Sequence, residues 1–137
     1  MMLTTKESIM SQPMKILYVE DDKDSRAAIK DLLEVCYDCQ VHLAEDGRSG
    51  VQMALDQNYD VILMDIGLPD ITGVEAAREI KQQKPKQVIV SSSGHAYSPE
   101  DMPADAFDNN FRKPFAHQLK EFQDFCNSVG VNLVSVV

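Results

Sequence analysis

Basic residues are scarce in this chain. Its 137 residues hold 13 Lys and Arg against 22 Asp and Glu, a net charge of −9 with His neutral, and such a balance repels nucleic-acid phosphate and anionic lipid headgroups. Binding to nucleic acid is therefore not expected. Long apolar runs are missing as well. Stretches such as Val61 to Met64 and Val88 to Val90 fall far short of the roughly 20 residues that a membrane span needs. No basic stretch followed by an apolar one opens the chain, so no membrane partner is expected and the cytoplasm is the expected compartment. Cysteine is sparse and odd in number: Cys36, Cys39 and Cys126 are expected to be reduced thiols. Cys36 and Cys39 form a C-x-x-C, but no second pair completes a structural zinc site. Cys36 reads instead as the end of a helix's apolar stripe.

What is present is the composition of a folded domain, 44% hydrophobic and 26% charged, at a length suited to one core. Residues 1–13 are polar, lack periodicity and end at Pro13, and so read as a flexible extension. The domain is expected over 14–129, with an apolar tail over 130–137. Lys15 to Val19 is a short run of strand formers that stops at the acids Glu20, Asp21 and Asp22. Asp24 is the expected cap of a helix with Ile29, Leu32, Leu33 and Cys36 on one face. Gln40 to Leu43 reads as a second strand, and Val51, Ala54 and Leu55 mark a second helix. Val61 to Met64 is a third strand, ending at Asp65.

Pro69 and Gly73 bracket a loop, after which Val74, Ala77 and Ile80 stripe a third helix that ends before Pro85 and leads into the strand Val88 to Val90. From Gly94 to Asn110 the pattern fails. Pro99 and Pro103 argue against a regular helix there, and Asp105, Asp108, Asn109 and Asn110 favour turns. A brief strand around Phe111 precedes Lys113, and a last helix is expected to place Leu119, Phe122, Cys126 and Val129 on one face.

Apolar strands alternating with amphipathic helices predict an α/β fold with a parallel sheet covered on both sides. In such sheets the site lies beyond the carboxyl ends of the strands. Glu20, Asp21, Asp65, the run Ser91 to Ser93 and Lys113 all fall at predicted strand ends, so they should converge. Three carboxylates brought together repel and raise one another's pKa unless a cation joins them. Mg²⁺ prefers oxygen ligands and is typically held by one or two carboxylates plus a phosphate oxygen, so Glu20, Asp21 and Asp65, with a backbone carbonyl just after Asp65, would suit it. A carboxylate beside such an ion can attack phosphorus and form an acyl phosphate. Lys113 is the ammonium that would share the charge. A serine hydroxyl from 91–93 would bond the new phosphoryl oxygen.

Four ordered blocks, Ile16 to Asp22, Asp65 to Pro69 with Gly73, Ser93 to His95, and Lys113 to Phe115, resemble the signature motifs of response-regulator receiver domains. The resemblance covers 14 to about 129. It implies a flavodoxin-like, doubly wound five-stranded parallel sheet in the order 2-1-3-4-5, here with an irregular or shortened fourth helix. It implies that Asp65 is the phosphoacceptor, that Glu20 and Asp21 hold Mg²⁺ with Asp65, and that Gly67 gives the backbone carbonyl. Lys113 matches the phosphoryl-contacting lysine and Ser93 the switch hydroxyl, with Ser92 as the alternative. One departure stands out: the aromatic switch position is Asn110, leaving Phe107 and Phe111 as possible substitutes.

The resemblance further implies a response regulator of the single-domain type, not an enzyme, that takes part in its own phosphorylation and dephosphorylation. Its donor would be a histidine kinase or phosphotransfer protein, and its output an unknown downstream protein target. Two rival readings stand beside it. An Asp-nucleophile phosphatase of the haloacid-dehalogenase kind needs an acid two residues after Asp65, where this chain has Gly67. A pseudo-receiver that signals by contacts without phosphorylation is favoured by Asn110 and opposed by the complete acid set and Lys113.

Overall fold

A run of four to six apolar residues buried on both sides needs a helix layer on each face, and this chain supplies both. The computed structural model describes residues 13–94, 98 and 102–137. The strands are β1 Met14–Val19, β2 Cys39–Ala44, β3 Val61–Asp65, β4 Ile89–Ser93 and β5 Asn109–Arg112; the helices are α1 Lys23–Cys36, α2 Gly47–Asp56, α3 Gly73–Gln83 and α4 Leu119–Ser128. All neighbouring strands pair parallel, in the order β2-β1-β3-β4-β5. This is the flavodoxin-like order expected above.

The pleat divides the core in two. Ile16, Tyr18, Val61, Leu63 and Val90 pack with Ile29 and Leu33 of α1 and Phe122 and Cys126 of α4. Leu17, Val19, Ile62, Met64 and Ile89 pack with Val51 and Ala54 of α2 and Ala76, Ala77 and Ile80 of α3. Cys36 is half-buried against the first cluster, as its place on the stripe implied.

Two local expectations need correction. The cap of α1 is Asp22, not Asp24: Asp22 keeps an extended backbone and its carboxylate accepts from the Ser25 N–H at 2.8 Å, which leaves Asp24 inside the first turn. Val129 does not join the buried face of α4 but is 43% exposed. The helix stops at Ser128 because Gly130, at φ 86°, reverses the chain. Val131 N–H then bonds Cys126 O at 2.8 Å and Gly130 N–H bonds Asn127 O at 3.3 Å, the paired bonds of a Schellman end.

Past that turn the tail lies on the domain. Val131 and Leu133 enter the first core cluster, Asp38 N–H bonds Val134 O, Val136 N–H bonds Cys36 O, and Tyr37 pairs with Ser135. Residues 1–12 of the expected extension lie outside the described residues, as do 95–97 and 99–101 of the irregular segment. The described residues between β4 and β5 form no helix. Ala106 and Phe107 N–H groups bond Pro103 O in a turn and both side chains are buried. Arg78–Asp105 and Lys81–Asp108 ion pairs pin that turn to α3.

Candidate functional site

At the carboxyl edge of the sheet, β1 ends in front of Glu20 and β3 ends in Asp65, and the two neighbours carry their acids to one place. Carboxylate oxygens of Glu20, Asp21 and Asp65 all lie within 4.8 Å of one another. Glu20 and Asp65 are buried, whereas Asp21 is exposed. Lys113 follows β5 and extends its ammonium over this cluster, with Nζ 2.7 Å from Glu20 Oε1 and 3.3 Å from Asp65 Oδ1. Its own N–H donates to Ser93 O at 2.7 Å, which fixes the lysine's backbone to the end of β4.

The two buried acids feel this arrangement differently. Burial raises the Asp65 carboxyl and the Glu20 charge raises it further, so that it is pushed up to about 6 despite Lys113 and the Gly67 N–H. Burial also pushes Glu20 upward, but the Lys113 ammonium, the Asp22 N–H and the Tyr18 hydroxyl outweigh it and hold Glu20 below the usual range. Burial alone would lower the Lys113 pKa, yet Glu20 and Asp65 carry it above its ordinary value. The cluster thus has more negative than positive charge in a shielded place, and its donor set is all oxygen. Both features fit a hard divalent cation such as Mg²⁺.

Arg26 and Asp70, which the sequence did not single out, shape this edge together with Gly73 and Gly67, which it did. Arg26, on the first turn of α1, donates from Nη1 to Glu20 O and Asp21 O, each at 2.9 Å, and so braces the acidic loop. Gly73 is required where it stands, since an added Cβ would lie 2.2 Å from Asp65 O. The Gly73 N–H closes the β3–α3 loop on Ile66 O at 2.9 Å. Asp70 ties that loop to the N-terminus of α2, accepting from Gly47 and Arg48 N–H at 2.8 Å each. Gly67, the expected carbonyl donor, sits exposed in the same loop, and its N–H faces Asp65 Oδ1 at 3.4 Å. An arginine on a helix or an acid in a loop carries no sequence signal for such roles.

The serine run divides by pleat. Ser92 is the Cα partner of Asp65 in the β3–β4 register and lies on the side of the first cluster. Its Oγ is buried with no hydrogen-bond partner among the described residues, and it lines a cavity of about 390 Å³ with Tyr18, Ser25, Ile29, Lys113 and Phe115. Ser91 and Ser93 take the opposite side, and both are fully buried. Ser91 donates its hydroxyl to Asn110 Oδ1 at 2.6 Å. Asn110, which stands at the family's aromatic switch position, is therefore a polar cross-strand partner. Phe111 is held edge-to-face by Phe115 and Phe122 at 5.7 and 5.9 Å, and Phe107 is buried in the second cluster.

Fold and site together define a doubly wound domain with an acid and lysine cluster at its carboxyl edge. The sequence profile of the response regulator receiver domain matches residues 16–119, and the chain belongs to that family. The chain is 33% identical over 135 residues to hybrid signal transduction histidine kinase G of Dictyostelium discoideum, covering 94% of this chain and 4% of the relative. It is 39% identical over 77 residues to response regulator ArlR of Staphylococcus saprophyticus, covering 56% of this chain and 34% of the relative. The chain thus spans between 4% and 34% of the length of these curated relatives. Among solved structures, response regulator TrrA of Thermotoga maritima, in complex with Mg²⁺ and BeF, superposes with a TM-score of 0.72 at 28% identity, covering 85% of this chain and 98% of that one. A receiver domain from Clostridium thermocellum reaches 0.77 at 24% identity, covering 87% and 94%, and so shows the fold alone. Among the described residues no helix is long and apolar enough to cross a membrane.

Proposed function

We propose that this chain is a phosphoryl-accepting receiver that works on the cytoplasmic side and signals to a partner protein by conformational change. The observation that carries the reading is the convergence of Glu20, Asp21 and Asp65 within 4.8 Å under the Lys113 ammonium. One Asp65 carboxylate oxygen attacks the phosphorus of a phosphohistidine on a histidine kinase or phosphotransfer protein. The P–N bond breaks as the P–O bond forms, and the imidazole leaves with its electron pair and takes up a proton. Glu20, Asp21, Asp65 and the Gly67 carbonyl would hold Mg²⁺, which when bound would neutralise charge on the transferring group.

The chain's own residues do the remainder. Glu20 stays ionised through its three donors, and Asp65, titrating near 6, is a carboxylate at neutral pH. Lys113 moves its charge-assisted bond from the acids to the new phosphoryl oxygens. Ser93 is the hydroxyl that its motif points to, and Ser92, level with Asp65 and without a hydroxyl partner among the described residues, is the second candidate. On this reading the protein is no enzyme toward other molecules but a substrate that assists its own phosphorylation and dephosphorylation.

Mass spectrometry after incubation with a small acyl phosphate, with and without Mg²⁺, tests the reading. Wild type should gain one phosphoryl group only with Mg²⁺, and Asp65→Asn should gain none, because an amide is not a nucleophile. Labelling that survives in Asp65→Asn would remove Asp65 from the role. An unlabelled wild type would leave the contact-only pseudo-receiver.

A further inference from the structure

Tyr18 is the penultimate residue of the interior strand β1, 1% exposed. A phenol in such a place must find a partner for its hydroxyl. It finds Glu20, two residues on and on the same side of the strand, donating to Oε1 at 3.1 Å. That oxygen is the one that Lys113 Nζ binds at 2.7 Å, while Oε2 accepts from the Asp22 N–H at 3.1 Å. Glu20 is therefore held by three donors, of which Lys113 is shared with Asp65.

These bonds differ in what they can do when charge arrives at Asp65. The ammonium is drawn to any new anion there, since charge-assisted bonds outweigh neutral ones. Its departure would strip the buried Oε1 of its strongest donor. The Tyr18 hydroxyl is neutral, lies on a strand and has no such reason to leave. We propose that Tyr18 is a positioning residue of the cation site: it fixes the Glu20 carboxylate in the orientation that meets the metal and replaces Lys113 as its donor when the lysine turns to the phosphoryl group. The inference rests on the receiver reading given above. An outer partner that orients a ligand in this way typically governs affinity for the metal more than the fold.

The test is Tyr18→Phe, which keeps the ring and removes only the hydroxyl. Calorimetric titration with Mg²⁺ alone should show affinity weakened by about tenfold. The Mg²⁺ concentration that half-saturates uptake from a small acyl phosphate should rise by the same factor, with the plateau of labelling unchanged. Ile16→Val, a change in the same strand and core cluster, should lower the unfolding midpoint and leave Mg²⁺ affinity as it is.

Wild-type Mg²⁺ affinity in Tyr18→Phe would overturn the proposal. So would a Tyr18→Phe chain that fails to fold, because the hydroxyl would then be a structural need. Asp21→Ala in the same titration separates the two levels. If it binds Mg²⁺ like wild type, or if wild type binds none, the metal reading itself falls. If Asp21→Ala loses affinity while Tyr18→Phe does not, only the role of Tyr18 is lost.

Discussion

On the β1 and β3 side of the carboxyl edge, the buried Glu20 carboxylate meets a tyrosine hydroxyl, a lysine ammonium and a backbone N–H. On the β4 side, one strand over, the equally buried Ser92 hydroxyl has no hydrogen-bond partner among the described residues. A buried polar group without a partner costs free energy that a paired one does not. The acid side is thus internally paired, whereas the Ser92 hydroxyl has no partner among the described residues. On the proposed receiver function, neighbouring strands of one sheet would divide the work, the acids of β1 and β3 meeting the cation and the serines of β4 the phosphoryl group.

Removing the shared donor should break the contrast most severely. Lys113→Ala leaves Glu20 and Asp65 facing each other under cover with no cation between them. Without metal at neutral pH it should lose about 3 kcal/mol, near the lower end for breaking a buried pair because the lysine is partly solvated. Urea unfolding measures this, and added Mg²⁺ should recover part of the loss. A mutant as stable as wild type without metal would show that the acids are not held by this ammonium. The same variant should still accept a phosphoryl group and fail to show the spectral change that follows it.

An effect of similar size separates the two acids themselves. The Asp65 carboxyl titrates near 6 in the folded chain against its ordinary 3.8, so between these values the folded state holds more protons than the unfolded one. The stability associated with protonated Asp65 is complete below about pH 4 and is lost as pH rises through 6. Asp65→Asn escapes that loss. In metal-free buffer it should be more stable than wild type by about 3 kcal/mol at pH 7, with the difference closing below pH 4. Equal stabilities at pH 7 would mean that Asp65 is compensated as fully as Glu20.

The smallest effect sharpens the other half of the contrast. Ser92→Val removes the unpaired hydroxyl and fills space beside a cavity, so it should raise the unfolding free energy by about 1 kcal/mol. A clear loss would show that Ser92 Oγ is satisfied in solution. Ser93→Ala, run beside Ser92→Ala in the phosphorylation assay, then shows which hydroxyl meets the phosphoryl group.

How far the sequence carried depends on the kind of feature. Apolar runs that stop at acids placed β1 and β3 and put Glu20 and Asp65 at their ends, because burial on two faces writes a continuous hydrophobic string. The strand order came from the resemblance to receivers, since periodicity says nothing of which strand lies beside which. Asp22 displaced Asp24 as the cap because the chain's exit angle from β1, unreadable in composition, decides which acid reaches the free N–H. The docking of Val131 and Leu133 followed from one positive-φ glycine turning the chain back onto its core.

Local alternation and residue chemistry by themselves determined the elements, the two-sided core and the candidate acids, because those signals lie within a few residues of each other. Tertiary structure alone decided the partners. Lys113 reaches Glu20 across 93 positions of sequence and Asp70 reaches Gly47 across 23, while the Ser92 hydroxyl finds no partner among the described residues. Hydrogen bonds and charge pairs act over a few ångströms in space, and only the closed sheet brings these atoms within that range.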